Sequence, residues 1–178
     1  MPNAMHTLIR SVVRHWLVLA LAASAGMLAI AHGFETFGHL PPCTLCLRQR
    51  EVYWVALVLA GSGIIVSHVP RLERFTRLFG GLLAVVFLVG AAVATYHAGA
   101  EWKWWPGPTT CSGVGGGVSA AALADLLHGA KVAAPRCDKA AWVMWGLSMA
   151  GWNVLISLKL AVWSVIFALT PARSLADD

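Results

Sequence analysis

Leu78 to Tyr96 reads LFGGLLAVVFLVGAAVATY, nineteen residues without a Lys, Arg, Asp or Glu. A hydrocarbon layer about 30 Å thick is crossed by about 20 predominantly apolar residues in an α-helix, so this stretch is long enough to span a membrane. Its glycines, Gly80, Gly81 and Gly90, suit such a helix, because small residues let neighbouring helices approach closely. Moving outward, Trp16 to Phe34 and Val52 to Val69 are equally free of charge, and Ala140 to Ala172 is interrupted in its apolar run only by Lys159. In lipid, backbone polar groups must be satisfied within a helix or a closed barrel. The expected fold is an all-α membrane protein: a four-transmembrane-helix bundle with two external cysteine-bearing loops. It forms one integral domain over residues 1–178, with spans near 16–34, 52–69, 78–96 and 149–169.

Composition agrees: 58% of the residues are hydrophobic and 12% charged, where soluble domains carry about a quarter charged. The formal charge of +5 does not point to nucleic acid, since the basic residues lie between apolar stretches and form no run or stripe. The lipid bilayer is their natural partner. Arg10 and Arg14 precede an apolar run ending in Ala29-Ile30-Ala31, which has the pattern of a secretory signal. The run is longer than a signal core, however, and cleavage would remove a helix that the bundle needs, so it is read as the first span.

All four cysteines lie outside the long apolar stretches, Cys43 and Cys46 between spans one and two, Cys111 and Cys137 between spans three and four. Two crossings separate the pairs, so all four thiols face one compartment. The flanking cations tie at six a side. Arg10, Arg14, Arg71, Arg74, Arg77 and Arg173 oppose Arg48, Arg50, Lys103, Lys131, Arg136 and Lys139. The positive-inside rule weights short loops, and the brief Pro70–Arg77 connection holds three arginines, which places the cysteines outside and both termini in the cytoplasm. Arg48 and Arg50 run against that rule and need another reason.

Pro42-Cys43-Thr44-Leu45-Cys46-Leu47-Arg48-Gln49-Arg50 sits where the first external loop enters span two. Two residues between thiols allow an easily closed, reversible ring, and a helix N-terminus or nearby cation lowers a thiolate pKa. If the helix begins near Cys46, Arg50 lies one turn further along on roughly the same face, about 6 Å away in rise. A structural disulfide, half of a zinc site completed by Cys111 and Cys137, and inert thiols compete with the redox reading. Zinc is disfavoured because Cys111 and Cys137 form no second close-spaced knuckle. Cys111 and Cys137 flank the Gly113–Gly117 stretch and a helix-compatible segment, Val118 to Leu127, that suits the membrane surface. Four cysteines allow three connectivities. A bridge across this loop is either an accessible oxidant or a plain staple. Trp102-Lys103-Trp104-Trp105 has the composition of an interfacial aromatic belt. His97 is a candidate donor to a quinone carbonyl or a solvated interfacial residue. Lys159 falls mid-membrane if the last span is 149–169 and at the cytoplasmic boundary if that span starts near Ala141.

The combination of Pro42-Cys43-x-x-Cys46-x-x-x-Arg50, Thr110-Cys111 paired with Cys137 in a long second loop, and four spans resembles the DsbB family of disulfide-bond formation proteins over nearly the whole chain. The resemblance implies an inner-membrane thiol oxidase that draws electrons from a DsbA-like thioredoxin-fold protein. It passes them to the quinone pool, with ubiquinone or menaquinone as cofactor. It implies that Cys111 forms the mixed disulfide with the partner and that Cys137 is its mate. Cys43 and Cys46 become the quinone-proximal pair, Cys46 the thiolate in charge-transfer contact and Arg50 the group polarising the ring; His97 corresponds loosely to the family's histidine near the end of span three. The Trp-rich stretch and Lys159 depart from the pattern. A vitamin K epoxide reductase-like protein would present its thiols in another order, and a non-enzymatic scaffold would use both bridges only as fasteners.

Overall fold

The computed structural model describes residues 2–108 and 136–171. The expectations for Cys111, for the 113–117 stretch and for a surface helix over 118–127 fall outside those residues. Helix α1 (Pro2–Arg14) leads into α2 (Trp16–Thr36), then α3 (Thr44–Ser67), a short 3-10 turn (Glu73–Phe75) and α4 (Thr76–Glu101). A two-stranded hairpin, β1 (Val143–Met144) and β2 (Leu147–Ser148), precedes α5 (Met149–Leu169). Among the described residues, four helices are long and apolar enough to cross a membrane. The second begins eight residues before the stretch read from charge alone, directly after Cys43, and the third continues to Glu101. Polar side chains that pair inside the bundle, described below, are what allow those extensions.

The helix ends are legible locally. Pro41-Pro42 keeps the chain extended up to Cys43, which caps α3, and Ser148 caps α5 by accepting the Gly151 N–H at 3.1 Å. Thr170 is extended ahead of Pro171, as a residue before proline prefers. The hairpin turns on Trp145 and Gly146, both at positive φ, the backbone of a two-residue primed turn.

Helix α4 packs along α5 and α3, and α3 along α2. Between them lie small residues, with Ala20, Ala56 and Ala60 wholly buried in one cluster with Leu83 and Phe87, and Ala94 and Ala150 wholly buried as well. Large apolar side chains such as Val58, Ile65 and Leu155 point outward, the reverse of a soluble bundle and consistent with lipid contact. At the end away from the cysteines, Arg77 donates to the Phe167 carbonyl at 2.6 Å and sits 4.4 Å over the Phe167 ring. Trp16 Nε1 donates to Ser164 Oγ at 3.1 Å, fastening α2 to α5. Lys159 is the eleventh of the 21 residues of α5 and exposed, so the mid-helix register holds. It makes no ion pair among the described residues, and its flexible stem lets the ammonium reach toward the headgroups.

A Cβ on Gly80 would fall 2.5 Å from Phe167 Cδ1, whereas one on Gly61 would meet nothing within 4 Å. Gly80→Ala is therefore expected to cost about 1–3 kcal/mol by overpacking, and Gly61→Ala to be neutral or stabilising by up to about 1 kcal/mol from helix propensity. Thermal unfolding midpoints in detergent check both.

Candidate functional site

The extended backbone of Cys43 turns its side chain back over the first turn of α3, where Sγ accepts the Cys46 N–H at 3.3 Å. The Cys-x-x-Cys motif is thus a helix cap, and its spacing brings the two free thiols to 3.0 Å. From α4, His97 Nε2 approaches Cys43 Sγ at 3.6 Å. Cys43 is drawn down to about 4 from an ordinary value near 9, first by the hydrogen bond from the Cys46 thiol and then by His97, against the opposing effect of burial. The resemblance implied a thiolate on Cys46. In this reduced pair the charge rests on Cys43, because the helix N-terminus, the second thiol and the imidazole all converge there, while Cys46 also lines a neighbouring, mostly apolar cavity.

His97 is nearly inaccessible to solvent, so both ring nitrogens need partners. Gln49 Nε2 lies 2.8 Å from Nδ1, and Gln49 Oε1 accepts from Asn153 Nδ2 at 2.5 Å. Asn153 Oδ1 in turn accepts from the Tyr53 hydroxyl, which also meets Ser157 Oγ at 3.1 Å. This buried chain runs from α4 through α3 to α5 and fixes the imidazole so that Nε2 faces Cys43. Nε2 also faces the carboxylate of Glu101, one turn along α4, at 3.6 Å, with both side chains about 95% buried. The other Glu101 oxygen accepts from Ser148, the residue that caps α5.

Cys137 is disulfide-bonded and fully buried, packed in one small cluster with Cys43, Leu45 and Cys46. Asp138 holds this segment down: it takes Lys103 Nζ at 2.8 Å from the end of α4 and Arg136 at 2.8 Å. The Arg136 hydrogen bonds and then Lys103 keep its carboxyl well below the usual carboxylate range. The chain then returns through the hairpin, and Trp142 lies against Phe34 of α2 at 5.2 Å.

Beneath this lid lies a cavity of about 320 Å³, its walls mostly apolar, with Cys46, Gln49, Arg50, Tyr53, His97 and Asn153 supplying the polar lining. That is the composition of a small-molecule site. Arg50 donates to Glu35 Oε2 at 2.5 Å and to the Ala31 carbonyl at 3.0 Å, so α2 holds the guanidinium at the cavity wall. Arg48 instead pairs with Glu51 on the surface.

Cys43, Cys46, Arg50, His97 and Cys137 are therefore gathered at one end of the bundle, while Cys111 lies outside the described residues. Sequence reasoning missed Glu35, Gln49, Tyr53, Glu101 and Asn153. The signal for two of them was present. Glu101 stands four residues after His97, and Asn153 and Ser157 stand four apart inside an apolar span, where polar side chains need partners. The tryptophans also differ from a plain belt: Trp104 is exposed, but Trp105 folds inward over Gly99, donating to the Tyr96 carbonyl at 2.8 Å.

The family model described as disulfide bond formation protein DsbB matches residues 13–167. Among curated proteins, disulfide bond formation protein B of Methylococcus capsulatus is 31% identical over 154 residues, covering 84% of this chain and 90% of that protein. The protein of the same name from Dechloromonas aromatica is 24% identical over 169 residues, 91% and 96% of the two chains. That of Azoarcus is 29% identical over 154 residues, 84% and 91%. No solved structure matches significantly.

With Cys111 and Cys137 replaced by alanine, the thiolate absorbance of the reduced protein is expected to persist down to about pH 4 and to be lost below it, since a depressed thiol stays ionised above its own pKa. Cys46→Ala is expected to move that transition upward more than His97→Ala, in the order of the two causes. An ultraviolet pH titration checks both.

Proposed function

The chain belongs to the DsbB family of disulfide bond formation proteins, and from that premise we propose that it returns a periplasmic DsbA-like thioredoxin-fold protein to its disulfide state and passes the electrons to ubiquinone or menaquinone. It is a multi-pass membrane protein with an oxidoreductase role. The observation that carries the finer reading is the burial of Cys137 against Cys43, with Cys46 on the wall of a mostly apolar cavity. The cysteines face the periplasm and both termini the cytoplasm, a placement supported by the three arginines of the 70–77 connection.

In the proposed relay a donor thiolate attacks Cys111, opens its bridge to Cys137 and leaves as a disulfide after its second thiol resolves the mixed species. Cys137, now a thiolate, attacks the oxidised Cys43–Cys46 bridge at Cys43, the sulfur it packs against, and Cys46 departs as a thiolate into the cavity wall. Cys111 then attacks Cys137, which restores the outer bridge and leaves Cys43 and Cys46 reduced. Each exchange is isoelectronic and reversible. A quinone held at this cavity by Arg50 would supply the two-electron, two-proton acceptor for closing the Cys43–Cys46 bridge. Before that step the 3.0 Å contact lets the Cys46 proton pass to Cys43, so the sulfur facing the cavity becomes the nucleophilic one. The cavity volume, its apolar walls and the Arg50 guanidinium at one side fit a quinone headgroup, with Glu35 and Ala31 fixing the guanidinium rather than consuming all five of its donors.

Quinone reduction by the purified protein, given a reduced DsbA-like donor and a short-chain ubiquinone, tests the reading. Wild type is expected to turn over, and Cys43→Ala, Cys46→Ala and Cys111→Ala to stop. Arg50→Gln is expected to raise the quinone KM about tenfold or more, the scale of a lost charged hydrogen bond. A wild type inert with several donors and quinones would leave a membrane protein whose bridges only fasten its loops.

A further inference from the structure

The Glu101 carboxylate has no task in that relay, yet it is buried at the thiol pair and aims one oxygen at His97 Nε2. The sulfurs of Cys43 and Cys46 and a ring nitrogen of His97 all lie within 4.8 Å of one another. The two thiols, the imidazole and the carboxylate line one cavity of about 350 Å³. Thiolate, imidazole and carboxylate are the ligand types of four-coordinate zinc. We propose that the reduced Cys43–Cys46 pair, His97 Nε2 and Glu101 Oε1 form a binding site for Zn²⁺, and that capture of the ion holds the pair reduced and stops turnover.

Two of the distances, both to His97 Nε2, are close to what the ion requires. With Zn–S near 2.3 Å and Zn–N or Zn–O near 2.0–2.1 Å, the edges of a tetrahedron are roughly 3.8 Å for S···S, 3.6 Å for S···N and 3.4 Å for N···O. The structure has 3.6 Å from Cys43 Sγ to His97 Nε2 and 3.6 Å from His97 Nε2 to Glu101 Oε1. The 3.0 Å separation of the sulfurs must widen by about 1 Å, and Glu101, which stands outside the group of ligand atoms within 4.8 Å of one another, must bring its carboxylate nearer the sulfurs. An outer shell exists as well. Zinc-bound imidazoles hold their second nitrogen on a carbonyl or carboxylate; turning over the Gln49 and Asn153 amides presents Gln49 Oε1 to His97 Nδ1–H and leaves the Tyr53 and Ser157 hydroxyls as acceptors. Ser148 already orients Glu101. Arg136 and Lys139 stand on the same cavity and offset the single excess negative charge of two thiolates and a carboxylate around a divalent ion.

The site is redox-gated, because a Cys43–Cys46 disulfide has no thiolate to offer. Ligation forms two Zn–S bonds, displaces the Cys46 thiol proton and changes no oxidation state. The zinc set aside on sequence grounds required Cys111 and Cys137; this one uses neither. Its inhibitory half rests on the proposed oxidase function, and its binding half does not.

The test uses full-length protein with Cys111 and Cys137 replaced by alanine, reduced with a non-thiol phosphine under argon, and Zn²⁺ alone as ligand, with free ion reported by a competing chromophoric chelator. One Zn²⁺ per reduced chain and none after oxidation of the same sample are expected, the oxidised sample serving as a control that needs no further mutation. His97→Ala and Glu101→Gln are each expected to weaken binding by roughly the 10- to 100-fold that outer-shell changes cost, or more. Cd²⁺ is expected to give a sulfur-to-metal charge-transfer band that Glu101→Gln shifts. Equal binding by the oxidised protein, no binding by the reduced protein, or affinity untouched by both variants overturns the proposal. Neither donor nor quinone is present, so a failure of the oxidase reading leaves this result standing. In the turnover assay of the wild type, Zn²⁺ is then expected to inhibit and a chelator to restore activity.

Discussion

A buried imidazole at the outer end of α4 imposes the constraint from which the site follows. His97 lies in a helix that crosses the membrane, where an unpaired polar group costs several kcal/mol, and both of its nitrogens find partners. Gln49 of α3, backed by Asn153 of α5, takes one side, and Cys43 and Glu101 take the other. Satisfying one ring thereby fixes the register of three helices at that end. It also sets the first turn of α3, with its thiol cap, above the cavity. The opposite end is held by different means, the Arg77 guanidinium on Phe167 and the close approach at Gly80, so the bundle is pinned at both ends while its middle is small residues and lipid-facing hydrocarbon.

Much of this architecture was legible in the sequence. Uncharged stretches of membrane length gave the number of spans, the parity of crossings put Cys137 at the same end as Cys43 and Cys46, and Cys-x-x-Cys gave a thiol pair at the start of a helix. The helices run past the uncharged stretches at their outer ends: Arg50 and Glu101 lie inside helices, paired with Glu35 and with His97 and Ser148. Pairing across helices is not visible in a one-dimensional pattern, which is why Glu35 and Asn153 were passed over although each is a polar residue in an apolar setting. Arg50 shows the same thing from the other side. Its position against the positive-inside trend was noted, and the structure supplies the reason in the cavity it lines.

Local geometry distinguishes the two thiols of the motif. Spacing alone makes the two inner cysteines equivalent. The extended backbone at Cys43 does not, because it points that sulfur at the helix N–H groups and at His97, while Cys46 is left to face the cavity. The two sulfurs thus have different neighbours, Cys43 the helix N-terminus, His97 and Cys137, and Cys46 the cavity, with 3.0 Å between them. The Asp138 clasp to Lys103 keeps Cys137 in that arrangement by charges at the rim, where little burial is available to do so.

The central claim is that Cys137 is seated against Cys43 closely enough for direct exchange between the pairs. The most direct measurement is made on a Cys46→Ala/Cys111→Ala variant, in which Cys43 and Cys137 are the only thiols left, exposed to a mild oxidant and mapped by mass spectrometry of its peptides. Rapid, near-complete formation of a Cys43–Cys137 disulfide is predicted. Two thiols that both remain free under conditions that oxidise the wild-type pairs would contradict it.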